Sequence, residues 1–277
     1  MGLRINTNIA SINANRQLSG TTHDLQQSLE RLSSGSRINK SGDDAAGLAI
    51  SENLKAQIRG LRQAKRNAAD GVSLVQVTEG GLNEISNILI RLRELSVQSA
   101  SDTISDVERS FTNREFQLLK DEVQRIANTT NFNGTPVLNG SQAIVDIQVG
   151  TRNTQDDRLS YDTRFANASL ESIGIAEIAS GTKLDAQQSL GKIDKGIEKV
   201  QDIRASLGAM QNRLQSTIRN ISVYDENLSA ANSRIRDADI AEESSTNTKL
   251  AILQQAGISV LSQANTSQRL ALKLLDN

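Results

Sequence analysis

The chain has 277 residues, 31 basic and 32 acidic, with a net charge of −1, a mean hydropathy of −0.40 and only 2% aromatic residues. Interspersed, nearly balanced charge excludes a global field that would draw nucleic acid or an anionic membrane, and scarce aromatics argue against a bulky globular core. The absence of cysteine removes disulfides, thiol catalysis and thiolate metal sites together.

Residues 1–16 lack a basic start followed by an apolar run and a small-residue cleavage site, and nowhere do about eighteen apolar residues follow one another. The expectation is neither a Sec-type secreted precursor nor a protein inserted in a membrane. Export would need another route.

From Arg4 to Leu32, the residues Ile5, Ile9, Ile12, Leu18, Leu25, Leu29 and Leu32 recur at helical spacing among Asn, Ser and Gln. The spacing predicts a helix whose sparse stripe needs a partner before burial outweighs the entropy of ordering it. His23, the single histidine, lies in the polar part of this stripe. No second histidine and no organised carboxylate cluster accompanies it, so it reads as solvated surface. The small residues from Ser33 to Gly47 break the period and read as a connector. Asp43 and Asp44 precede the apolar run at Leu48 and Ile50, where acidic side chains suit a helix N-terminus better than a metal or an acid pair.

Leu54 to Ala100 carries a long stripe: Leu54, Ile58, Leu61, Ala68, Val72, Val75, Leu82, Ile85, Leu89, Leu92 and Leu95. Gly71, Gly80 and Gly81 inside it predict either a bend or the close approach of another backbone. Ser105 to Asn128 adds a shorter helix with Val107, Phe111, Phe116, Leu119, Val123 and Ile126 on its apolar side. The period then switches. Phe132 to Ile175 holds the one proline, Pro136, the turn signals Asn133-Gly134 and Asn139-Gly140, and alternation from Ile144 to Val149. This reads as a small antiparallel hairpin region capping the end of the helices.

The longest stripe runs from Leu190 to Ile235 through Ile193, Ile197, Val200, Ile203, Leu207, Met210, Leu214, Ile218, Ile221, Tyr224 and Leu228, without a proline. Its length, on the order of 70 Å at about 1.5 Å per residue, matches the stripe from Leu54, which becomes its predicted antiparallel partner. A polar segment, Arg234 to Glu243, leads into a last amphipathic helix with Leu250, Leu253, Val260, Leu261, Leu270 and Leu274.

The order is thin terminal helix, long helix, strands, long helix, thin terminal helix. The expected fold is mainly α: an elongated antiparallel helical bundle or coiled coil with a small β-hairpin region, its chain termini paired as a terminal helical coiled coil. The expected divisions are 1–44, 45–235 with the hairpin region at about 132–175, and 236–277. The terminal helices have too little core to order unless neighbouring copies cover their apolar faces. The chain offers no catalytic set, no Walker-type glycine loop and no paired histidine spacing, so an enzyme, a cofactor or a metal site is not expected.

These residues resemble the bacterial flagellins. The likeness rests on Arg4-Ile5-Asn6-Thr7-Asn8, Glu30-Arg31-Leu32-Ser33-Ser34-Gly35, Arg37-Ile38-Asn39 and Asp43-Asp44-Ala45-Ala46-Gly47. It continues through Thr78-Glu79-Gly80, Leu82-Asn83-Glu84-Ile85, Arg93-Glu94-Leu95, Asn131-Phe132-Asn133-Gly134 and Ser233-Arg234-Ile235-Arg236-Asp237-Ala238-Asp239. The resemblance implies a self-polymerising subunit of a flagellar filament, exported unfolded by the flagellar type III apparatus, with an export chaperone, a filament cap and hook-filament junction proteins as partners. The short interval from Tyr161 to Thr182 implies a member without large variable outer domains.

Two sites follow from the same resemblance. Arg91, Leu95 and Glu115 match the surface recognised by the animal Toll-like receptor for flagellin. Ile5, Ile9, Ile12, Leu25 and Leu29, with Leu250, Leu253, Val260, Leu261, Leu270 and Leu274, would serve polymerisation and chaperone binding. A hook-filament junction protein of the same secretion system, or a cytosolic signalling coiled coil, are the alternative readings of these stripes.

Overall fold

The computed structural model describes residues 7–141 and 144–273, with side chains described up to residue 267. Contacts divide the chain into two compact units, Met1–Ala56 with Asn227–Asn277, and Gln57–Glu226. The divisions fall inside two long helices, so the first turns of one and the last turns of the other group with the terminal helices rather than separating at residues 44 and 235.

In the first unit, α1 (Ile9–Ser34) and α6 (Ile240–Lys273) run antiparallel. The Asn8 side chain caps α1 by accepting from the Ser11 N–H at 3.0 Å, and its amide donates to the Ala264 carbonyl at 3.0 Å. At the other end Gly35, at φ 67°, terminates α1 in the left-handed conformation. Ser36 then pairs with Asp237, and the Arg37 N–H donates to the Arg236 carbonyl at 2.6 Å.

The expected connector folds around a carboxylate. Asp43 accepts from the Asn39 and Lys40 N–H groups, both at 3.0 Å, and from the Gln27 amide at 2.9 Å. The Lys40 and then the Asn39 N–H hold its carboxyl below the usual carboxylate range. Asp44 accepts from the Gly47 N–H at 2.8 Å and so caps α2 (Ala45–Ser99), as its position ahead of an apolar run predicts.

The second unit is organised by α2 and α5 (Lys183–Arg236). Cross-helix pairs Arg62–Asp225, Arg204–Glu79 and Arg93–Asp194 descend one helix as they climb the other, which fixes the antiparallel sense. Between them Leu82, Ile85, Leu89 and Leu92 meet Ile193, Val200, Leu207 and Leu214 in a fully buried core. The partner foreseen for the longest stripe is therefore α2. Tyr224 departs from expectation: it is exposed, because the three-and-four spacing after Ile221 continues to Asp225, which turns inward to meet Arg62.

α3 (Asp106–Thr129) opens on a capping box in which Ser105 accepts from the Glu108 N–H while the Glu108 carboxylate accepts from the Ser105 N–H at 2.8 Å. Its inner face is Arg109, Phe116 and Val123, one every seven residues. Val107 and Phe111, expected in the core, are exposed together with Leu118. They form a second apolar edge that a stripe read at helical spacing merges with the first.

The strand region consists of two two-stranded antiparallel sheets: β1 (Asn131–Phe132) with β2 (Thr135–Pro136), and β3 (Val145–Gln148) with β4 (Arg158–Tyr161). Asn133 and Gly134 both have positive φ, 50° and 79°, as a type I′ hairpin turn requires. Inward residues of the alternating run are Val145, Ile147 and Val149. A one-turn helix, α4 (Leu170–Ile173), then returns the chain to α5.

This region does not cap the helix ends. It lies along α2, with Thr151 against Gly60, Ile147 against Gly71, and Leu138 and Thr130 against Gly81. Residues ten or eleven apart lie about three turns apart on one helix face, so these glycines form a bare track on which the strands rest. Side chains, rather than a neighbouring backbone, make the close approach.

Candidate functional site

The two terminal helices meet through an unusual seam. On α1 the inward residues are Ser11, Ala14, Leu18, Thr21, Leu25, Ser28 and Leu32, and on α6 Glu243, Asn247, Leu250, Gln254, Gly257, Leu261 and Ala264. Both sets alternate by three and four, the spacing of a coiled coil, yet most members are small or polar. Ser28 donates to the Glu243 carbonyl at 3.4 Å, Gln254 to the Thr22 hydroxyl at 3.3 Å, and Arg31 stands 3.9 Å from Glu243. A Cβ on Gly257 would meet Leu18 at 3.3 Å, so this glycine lets the helices approach closely.

The predicted assembly residues therefore separate into two sets. Leu25, Leu250 and Leu261 are half-buried in the seam. Ile9, Ile12, Leu29, Leu253 and Val260 remain 46–59% exposed, joined by Ile240, Ile252 and Ile258. Ile5 and Leu274, and the side chain of Leu270, lie outside the described residues. Sequence reasoning missed Ser28, Gln254 and Gly257. The signal was their three-and-four spacing, hidden because the residues are not apolar.

Arg91, Leu95 and Glu115 are not one surface. Arg91 donates from Nε and Nη2 to Glu115 Oε1 at 3.1 and 2.9 Å, joining α2 to α3, and from Nη1 to Glu94 at 3.0 Å. The bonds to Glu115 and then Glu94 raise the guanidinium pKa further. Leu95 instead is 2% exposed inside the core. Expected at the surface with Arg91, it is placed instead alongside Leu92: one turn beyond Arg91 and one residue past Glu94 it has rotated inward. Ile90 and Val97, which share the adjoining face of α2, are exposed apolar residues of the same helix stretch.

Among the described residues no group of three or more His, Asp or Glu is placed to hold a metal, and no helix is long and apolar enough to cross a membrane. His23 is exposed. The chemistry on display is that of contact surfaces.

Comparison with known proteins agrees with this architecture. Residues 5–143 match the bacterial flagellin N-terminal helical region and residues 190–275 the bacterial flagellin C-terminal helical region. A flagellin of Halalkalibacterium halodurans is 44% identical over 98% of this chain and 99% of its own length. A flagellar filament 30.7 kDa core protein of Treponema maltophilum is 41% identical over 98% of this chain and 99% of its own length. The crystal structure of Bacillus cereus flagellin superposes with a TM-score of 0.51 at 29% identity, covering 60% of this chain and 94% of that one. The chain belongs to the bacterial flagellin family, and it is a short member.

Proposed function

We propose that this chain is the structural, non-enzymatic subunit of a bacterial flagellar filament, a helical polymer of identical copies that serves swimming motility. The observation that carries the reading is the set of apolar side chains that the α1–α6 pair leaves exposed. Ile9, Ile12, Leu29, Leu253 and Val260 stay in water although the seam beside them is thinly packed. Exposed apolar side chains on a weakly cored helix pair are stabilised when other copies cover them. Relatives that carry flagellin and filament names over nearly their whole length favour a filament subunit over a hook-filament junction adaptor.

The test is polymerisation of the full chain, followed by electron microscopy. Leu253→Ser with Val260→Ser should leave the thermal melt of the isolated chain in place and abolish long tubes. Tubes of normal length from the double variant would sink the reading.

Export and location follow from this function. The subunit leaves the cell unfolded through the flagellar type III apparatus and reaches the extracellular filament, with a chaperone covering the exposed apolar side chains of α6 beforehand. A filament cap and hook-filament junction proteins bound the polymer at its ends. Loss of a soluble complex between chaperone and chain on truncation before Leu250 is the outcome that supports this route.

A second reading concerns the animal Toll-like receptor for flagellin. Its support is the exposed Arg91–Glu115 pair with Ile90 and Val97 exposed on the adjoining face of α2, since an arginine beside apolar surface is a common interface anchor. A receptor-reporter cell assay should lose most of its response with Arg91→Ala. An undiminished response removes this reading.

A further inference from the structure

In the unit of residues 57–226, the end of β4 and the turn after it stand against α5 and leave an open cleft of about 280 Å³. Tyr161, Ala166 and Ile203 are buried and form its floor. One wall is Phe165, 76% exposed in a chain with only four phenylalanines. The other is Lys199, Asp202 and Ser206 on α5, the last two one turn apart on the same side. Asp202 and Ser206 are exposed, and neither makes a hydrogen bond or ion pair among the described residues.

The neighbouring cations are already held within the chain. Lys199 donates to the carbonyl and hydroxyl of Ser172, and Arg164 pairs with Asp162 at 2.7 Å. Among the described residues Asp202 is the one charged side chain lining the cleft that has no hydrogen-bond partner.

We propose that this cleft receives the guanidinium of an arginine from a second copy of the chain, lying on the Phe165 ring and bonded to the Asp202 carboxylate. A flat cation with several N–H donors suits an aromatic wall facing a carboxylate and a hydroxyl. A lysine ammonium, compact and strongly hydrated, matches the aromatic face less well. The same unit supplies donors: Arg59, Arg114, Arg213 and Arg219 are exposed and have no partner among the described residues. Socket and knob lie at different places on one surface, so the contact repeats from copy to copy. Burial pushes the Tyr161 hydroxyl up to about 12, which keeps it neutral beneath the cleft and leaves the charge to Asp202.

This inference rests on the filament reading, and one experiment separates the two. The full chain is grown on sheared fragments of its own filaments, and the critical concentration is measured by sedimentation. Phe165→Ala and Asp202→Arg should each raise that concentration about tenfold or more while the melt of the isolated chain stays in place. Reversal to Asp at one of the four free arginines should restore growth of the Asp202→Arg chain. Parental critical concentrations for both single variants, or no reversal that restores growth, would overturn the cleft contact and leave the filament reading standing. A parent chain that forms no filaments overturns both.

Discussion

The Cδ1 of Ile147 lies 2.6 Å from where a Cβ on Gly71 would stand, with the two methyls of Leu214 at 3.4 Å. A strand side chain thus presses onto the backbone of α2 at a place that Leu214 of α5 also reaches. The absent side chain at Gly71 is what lets strands and both long helices share a core.

Gly71 and Gly80 should respond oppositely to substitution. Gly71→Val pushes branched methyls into Ile147 and Leu214 and is expected to destabilise the chain by about 1–3 kcal/mol. Nothing lies within 4 Å of a Cβ on Gly80. Gly80→Ala therefore gains helix propensity and is expected to stabilise by about 0.5–1 kcal/mol. Urea unfolding of the isolated chain reads both signs.

Arg109 is a buried tie between α2 and α3. Only 6% exposed, it donates from Nε to the Ser99 carbonyl at 2.9 Å and from Nη2 to the Ser101 carbonyl at 3.2 Å, closing the C-terminal end of α2. Arg109→Leu strands both carbonyls and is expected to cost about 2–4 kcal/mol. Arg109→Lys should recover little of this, because a point charge cannot reproduce the fork. Equal stability of the Lys variant and the parent would contradict that geometry.

Asp43 gives the connector a defined response to acid. Its folded pKa is depressed, so its contribution is present above the ordinary carboxylate pKa and is lost as pH falls through the folded value. Asp43→Ala should melt below the parent at neutral pH. The gap should close progressively below the ordinary carboxylate range and vanish once the folded carboxyl is protonated. Thermal melts of both proteins from pH 7 to strongly acid solution measure the gap, and a constant gap argues against a carboxylate-specific effect.

Leu95 and Arg91 should separate fold from surface. Leu95→Ala removes a core side chain and is expected to cost about 2–5 kcal/mol in unfolding free energy. Arg91→Ala removes a solvent-exposed ion pair and should leave the melting curve nearly in place. A receptor response lost with Leu95→Ala but recovered on cooling would trace to folding rather than contact.

The long elements were legible because their stripes are long and strongly periodic: Leu82 to Leu95, and Ile193 to Leu214, are core as read. Asp44 as a helix cap followed from its place ahead of an apolar run. The limits of the reading have one physical cause, which is that periodicity reports an apolar face without saying what covers it. Val107 and Phe111 belong to an edge of α3 that the rest of this unit leaves open, while Arg109 occupies the inner position. Along α1 small or polar residues such as Ser28 alternate with Leu18, Leu25 and Leu32 in the contact with α6, while Ile9 and Ile12 stay exposed. The lateral placement of the strand region was not legible: Gly71 and Gly81 pointed to a close approach, but not to Ile147 and Leu138 as the side chains that make it.

That division of labour on α1 and α6 bears on how an array could end. The seam joins the two helices of one copy, and the apolar side chains outside it face outward. If an arriving copy covers those side chains with a different part of its surface, its own stay open, so each addition regenerates the surface that recruits the next. Such a surface carries no internal signal to stop. The length of an assembly built on it is governed by the supply of subunits and by whatever blocks its ends, not by the shape of the subunit.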